Sequence, residues 1–305
     1  MISKEEVSSA LTGPVFSIST LFQPDGGIDY AGVFRLIDSL IDVGQRVVIL
    51  TAGDSLFTVL TDQEVAELTK ATVQHVAGRA VVVAADRSWW TGKTVDFARY
   101  CRDVGVDILM VQPPDWASSC TPDTLVAHFA AVAEQIPVML VTNFLEHWPT
   151  PRYVELFEKL RDGVPGICAA KDDLCGELGR RLCLTVHDRW VVFASGNKRA
   201  VLGNMPFGCG GYMSSFLSFK PEIAKEFWKA IVAHDDTTIQ RVIRDVDIPF
   251  WDFMETSPGG FDAAIHGILE LKGLGGRWRR SPYYSVNDDE METLRDFLQS
   301  QGWLS

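Results

Sequence analysis

The chain has 305 residues, 47% of them hydrophobic, enough to bury the core of one large domain or of one domain with an appendage. A formal net charge of -12 argues against a nucleic-acid or anionic-membrane partner, because either would want a basic face. No charged-then-apolar leader precedes residue 13, no apolar run is long enough to span a bilayer, and the six cysteines lack metal-ligand spacing; together these point to a cytoplasmic protein with reduced thiols.

From the N-terminus, short apolar runs rich in β-branched residues alternate with longer amphipathic stretches. Strands are predicted over 14–19, 46–50, 80–85, 107–111, 138–142, 166–170, 190–194 and 209–213. Helices are predicted between and after them, over 29–43, 61–76, 91–104, 121–134, 150–161, 174–186, 198–205 and 221–233. Thr61-Asp62-Gln63-Glu64 has the form of a capping box, and Thr121-Pro122-Asp123 pairs a cap with a first-turn proline. Strands that are apolar almost throughout are expected where both faces of a sheet are covered.

Eight such units predict an α/β fold, a (β/α)8 TIM barrel over 1–233. An open doubly wound sheet is the competing arrangement, but no strand-linked G-x-G-x-x-G opens a helix. Beyond residue 233 the pattern turns wholly helical (237–246, 250–255, 260–271, 288–301), which reads as a C-terminal helical domain over 234–305.

In such a barrel, chemistry belongs to the C-terminal ends of the strands. There Gly166-Ile167-Cys168-Ala169-Ala170-Lys171-Asp172-Asp173 delivers one amine from an apolar run. An amine among apolar side chains loses solvation of its charged form, so its nucleophilic neutral form is favoured, as a Schiff-base lysine requires. The plainer alternative is a strand-end lysine that reaches solvent.

The order of the other strand ends resembles that of the dihydrodipicolinate synthase/N-acetylneuraminate lyase family, barrel enzymes with a Schiff-base lysine. Thr20-Leu21-Phe22 with Asp25-Gly26-Gly27-Ile28-Asp29 resembles the family's T-P-F…D-G…D opening. Thr51-Ala52-Gly53-Asp54-Ser55 resembles its carboxylate-binding G-T-T-G-E-S turn, and Ala170-Lys171-Asp172 its K-[DE]. Residues 208–214 resemble its G-G-x-G-x-I-S strand, and Ser257-Pro258 and 276–282 its N-P and L-R-x-P tail segments. One departure stands out. The family's strand-five Y-N-x-P, whose tyrosine shuttles protons beside the imine, is Val141-Thr142-Asn143-Phe144-Leu145 here. The strand-four stretch Gln112-Pro113-Pro114-Asp115-Trp116 lacks the synthases' second tyrosine, and their strand-five arginine is also missing, which argues against lysine biosynthesis.

The resemblance implies that Lys171 forms the imine and that Thr51 and the Ala52 backbone hold the carboxylate of a 2-oxo acid. Thr142 and a water would stand in for the phenol. Asp54, Asp115, Gly196 and Met213 would contact substrate. Asp54, Asp86, Asp115, Asp172 and Asp173 are candidates for the missing acid/base or for a divalent metal, or simply cap the helices that follow. His147 follows strand five within reach of the mouth, and Trp89, Trp90 and Trp116 either wall a pocket or pack a loop or interface. The expected function is a Schiff-base lyase, aldolase or dehydratase, acting on a 2-oxo acid such as pyruvate or a pyruvate-derived aldol, with no cofactor; the alternative is a non-catalytic keto-acid binder. The resemblance also implies a homotetramer.

Overall fold

The computed structural model describes residues 2–114, 116–194 and 198–304. Among these residues eight parallel strands form one sheet: β1 (Gly13–Val15), β2 (Val47–Ile49), β3 (Val81–Ala85), β4 (Ile108–Val111), β5 (Val138–Val141), β6 (Ile167–Asp172), β7 (Val191–Ala194) and β8 (Cys209–Met213). The ladder runs β1-β8-β7-β6-β5-β4-β3-β2. Its two ends meet where the Ile18 amide donates to the Ile49 carbonyl at 2.8 Å, beside a bridge between Ser17 and Ile49. The sheet is therefore a nearly closed barrel, as expected. The strands are buried almost throughout, which explains why they read as apolar runs rather than alternations.

Helices α2 (Tyr30–Asp42), α3 (Asp62–Val76), α4 (Thr91–Val104), α5 (Pro122–Ala133), α6 (Thr150–Gly163), α7 (Gly176–Val186), α8 (Lys198–Asn204) and α9 (Pro221–Val232) follow β1 to β8 in turn. The Thr61 and Thr121 hydroxyls cap α3 and α5 as their sequences predict, each accepting an amide at 3.2 Å. The first strand is shorter than predicted. Past Val15 the side chains of Thr20 and Ser55 take over, with Thr20 bonded to the Ser55 carbonyl and Ser55 to the Ile18 carbonyl, so the chain leaves the ladder early.

A helix over Lys4–Leu11, α1, is not among the predicted elements. Its signal was present: Ser3 and Glu6 form a capping box, and Val7, Ala10 and Leu11 are buried on one face. It leads directly into β1 and packs against β6, β7 and β8, plugging the barrel at the end from which β1 starts.

The predicted tail helices are α10 (Asp236–Val242), α11 (Ile248–Thr256), α12 (Gly260–Leu271) and α13 (Asp288–Ser300). A π-helical turn, Ile243–Asp247, joins α10 to α11, where two separate helices were expected. Aromatic side chains fasten the tail to the barrel: Phe216, after β8, lies 4.7 Å from Phe250 of α11 and 5.3 Å from Trp303, ring centre to ring centre. No helix among the described residues is long and apolar enough to cross a membrane.

At Gly211 of β8 neighbouring backbone comes close enough to leave no room for a side chain. A Cβ there would meet the Leu11 carbonyl oxygen at 2.4 Å and the Gly13 carbonyl oxygen at 2.6 Å. Neither atom can move without pulling β1 off β8, so Gly211→Ala is expected to cost about 1–3 kcal/mol, the usual range for overpacking. An unchanged denaturant midpoint would show that this contact does not hold the barrel shut.

Candidate active site

Strand alternation decides which side chains β6 sends to the barrel interior. Lys171, paired in register with Val141 and Phe193, points inward; Asp172 points out toward the helices; Asp173 turns back to the mouth. A one-residue register shift opposite Val138 and Met139 precedes this stretch. Such irregularities re-aim side chains near sites.

Asp172 is fully buried and anchors the turn. Its carboxylate accepts the Leu174 and Cys175 amides, each at 3.2 Å, and the Asn204 side-chain amide at 2.9 Å. Burial raises its pKa, against the pull of these bonds. Gly179 of α7 leaves room for it, since a Cβ there would sit 2.2 Å from the carboxylate.

Lys171 is 9% exposed and its amine donates to the Asp173 carboxylate. Beside this pair lies a cavity of about 310 Å³, at the lower end of the range typical of ligand sites. The barrel contributes Asp54, Lys171, Asp173, Lys198 and Met213 to its walls, and the tail roofs it with Phe250, Trp251, Phe261 and His266. The amine is thus held against an aspartate with room for a ligand alongside.

Of the expected site residues, Lys171, Asp54 and Met213 come together in this cavity. Thr51, Ala52 and Thr142 do not line it. The Thr142 hydroxyl faces the turn, accepting the Asp173 amide at 2.8 Å and donating to Asp172 at 3.2 Å. The Thr142 hydroxyl thus serves the turn that carries Asp173. The Thr51 hydroxyl accepts the Asp54 amide at 3.0 Å, and the Ala52 carbonyl accepts the Phe57 amide, so this turn is occupied in presenting Asp54. Asp115 and Gly196 lie outside the described residues.

Other candidates fall away from the cavity. The His147 side chain is 83% exposed and lies near Glu146, while Trp90 and Trp116 are exposed and Trp89 packs on Phe97. The aromatic wall comes from the tail instead. His266 on α12 was missed. It is buried against the cavity, its Nδ1 has no hydrogen-bond partner among the described residues, and burial, with the Arg279 charge, draws its pKa down to about 3, so the ring is neutral. A histidine inside an apolar helical pattern carries no sign of which way the helix docks. Asp262, also at the wall, has its pKa raised by burial and then by Asp54. Among the described residues no three His, Cys, Asp or Glu side chains are grouped to hold a metal ion.

Asp86 is a structural group. It is wholly buried, accepting the Gln112 amide at 3.0 Å and the Thr94 hydroxyl at 3.1 Å, and burial pushes its pKa up to about 7 from 3.8. A folded pKa above the unfolded one makes the stabilising contribution complete below pH 4 and lost as the pH rises through about 7. Asp86→Asn keeps an acceptor for the Gln112 amide and is expected to gain on the wild type by up to about 4 kcal/mol between pH 4 and 7.5. Urea unfolding of both proteins at the two pH values measures the gain, and a difference independent of pH would contradict it.

Comparison with known proteins adds the context of relatives. The model of the dihydrodipicolinate synthetase family matches residues 10–301. A probable 5-dehydro-4-deoxyglucarate dehydratase from Streptomyces coelicolor is 26% identical, over 94% of this chain and 92% of the relative. A protein of that description from Pseudomonas fluorescens is 23% identical over 99% of both chains. Among solved structures, dihydrodipicolinate synthase from Oceanobacillus iheyensis superposes with a TM-score of 0.85 at 18% identity, covering 98% of this chain and 99% of that one. A prophage protein from E. coli K12, solved in complex with pyruvate, gives 0.80 at 22% identity over 96% and 99%. These structures share the fold.

Proposed function

We propose that this chain, which belongs to the dihydrodipicolinate synthetase family, is a Schiff-base lyase that dehydrates a 2-oxo acid of the deoxy-sugar-acid type, with Lys171 as nucleophile and Asp173 as acid and base. The observation that carries the reading is the Lys171–Asp173 contact beside a cavity roofed in part by the tail. The dehydratase relatives support dehydration over aldol cleavage. The substrate in their names, 5-dehydro-4-deoxyglucarate, has a ketone next to a carboxylate, a methylene on its other side and a hydroxyl beyond.

In this reading the Lys171 ammonium passes a proton to Asp173, which frees the amine lone pair for attack. The amine attacks the ketone carbon, and the ketone oxygen leaves as water with a proton from Asp173. The protonated imine then withdraws electrons from the adjacent methylene. Asp173, again a carboxylate, takes a methylene proton, and the resulting enamine expels the β-hydroxyl, which leaves as water with that proton. Water hydrolyses the conjugated imine and releases Lys171, so the net change in the acid is loss of one water. Thr142 and Asp172 act through position, fixing the turn that carries Asp173. A homotetramer, implied by the family, belongs to the same proposal, and sedimentation velocity checks it.

Pyruvate with borohydride is expected to add the mass of a reduced pyruvyl group to Lys171 and to leave Lys171→Ala unmodified. Trapping that persists unchanged in Lys171→Ala would refute the assignment. Asp173→Asn is expected to lower kcat by about 10²–10⁴-fold, the usual contribution of a positioned acid/base. Wild-type turnover in that variant, or release of pyruvate from a 2-oxo-3-deoxy acid, would overturn the acid/base role or the dehydratase reading respectively.

A further inference from the structure

The tail gives the cavity more than an aromatic cover. Trp251 and Phe261 stack with ring centres 4.9 Å apart, and Phe250 lies 6.0 Å from Trp251. His266 of α12 interrupts this apolar roof. It is 1% exposed, it lines the same cavity, and its Nδ1 has no hydrogen-bond partner among the described residues. A buried polar atom without a partner carries a desolvation cost that an incoming hydrogen bond removes. His128, also buried, differs on both counts: its Nδ1 is paired with the Thr91 hydroxyl at 3.0 Å, and it lies away from the cavity.

The charges near the ring decide what it can hold. Burial, and then the Arg279 guanidinium, keep the imidazole neutral, so it offers one donor and one acceptor but no charge. Asp262 stands one turn earlier on α12 and also lines the cavity. Asp54 reaches the wall from the barrel, where it accepts the Ser17 hydroxyl, and it is near enough to Asp262 to raise that residue's pKa. Arg279 is turned to Asp262, 3.8 Å away, and to the Tyr284 carbonyl at 3.2 Å. A ligand carboxylate at this end of the cavity would face two carboxylates and an uncharged ring. A hydroxyl suits all three, because it donates to a carboxylate and either gives a hydrogen bond to the imidazole or takes one from it.

We infer that His266 hydrogen-bonds a hydroxyl of the substrate from the roof of the cavity, and is a specificity-determining residue supplied by the tail rather than by the barrel. The inference rests on the reading of this cavity as the substrate site. The names of the relatives specify a hydroxylated acid; the structure assigns the side chain that meets one of its hydroxyls. Recognition of the ketone and of the hydroxyl is thereby divided between β6 and α12.

The test compares D-glucarate with adipate, the same diacid without hydroxyls, so that length and charge are held constant. Neither has a ketone, so neither forms an imine or turns over. Affinities come from the rise in melting temperature that each gives the full chain over a concentration series. In His266→Phe the ratio of glucarate to adipate affinity is expected to fall about three- to tenfold from its wild-type value, the scale of one neutral hydrogen bond. Should His266→Phe fold poorly, the wild type decides: nitrogen NMR of the His266 ring should shift with D-glucarate and not with adipate. An unchanged ratio in His266→Phe, an equal loss for both acids, no melting shift with D-glucarate, or ring resonances that D-glucarate leaves in place would each overturn the inference. If pyruvate and borohydride leave Lys171 unlabelled, the imine reading fails while this ratio still decides the role of His266.

Discussion

A lysine amine resting on an aspartate in a covered cavity sets the terms for the rest of this molecule. Lys171 is 9% exposed, so solvent screens its contact with Asp173 only weakly. The surrounding structure serves to hold that geometry. Asp172 gathers the turn from below through the Leu174 and Cys175 amides, Asn204 ties it to α8, and Thr142 pins the Asp173 amide from β5.

The tail makes the cavity what it is. A barrel mouth left open would wet both amines and let their charges be screened. Phe250, Trp251 and Phe261 cover it, and the Phe216–Phe250–Trp303 cluster keeps the cover in place. The same cover leaves Lys198 and Asp247 buried, so the contact between them is stronger than it would be at the surface. The groups lining the cavity thus depend for their cover on helices that contribute nothing to the barrel's own ladder.

The sequence carried the architecture well because each unit states it twice, as an apolar run and as a capped amphipathic helix. Lys171 was legible for a related reason: a single amine closing an apolar strand, with ordered motifs on either side of it, is costly to desolvate unless the site uses it. Side-chain direction was harder to read. Thr142 and Thr51 sit at the right strand ends, yet their hydroxyls turn to neighbouring amides, a choice made by local hydrogen bonds that spacing does not encode. The roof was beyond reach. Phe250, Phe261 and His266 belong to helices whose patterns give a buried face but not the surface it is buried against. The helix at Lys4–Leu11 is a different case, because its capping box was visible and only its shortness hid it.

In the proposed reading a carboxylate two residues beyond the lysine takes the role of a phenol on β5, which bears on the reaction the site would favour. Cleaving a C–C bond from the imine requires removing a proton from a β-hydroxyl, a weakly acidic group, and a phenolate is a much stronger base for this than a carboxylate. Expelling that hydroxyl as water requires giving it a proton, and a carboxylic acid, with an ordinary pKa of about 4 against about 10 for a phenol, is the better donor. Once the imine has acidified the neighbouring methylene, a carboxylate is also basic enough to start the elimination. On the proposed reading, an aspartate acting where the family has a tyrosine would tilt an imine intermediate away from aldol cleavage and toward loss of water, the direction the dehydratase relatives carry in their names.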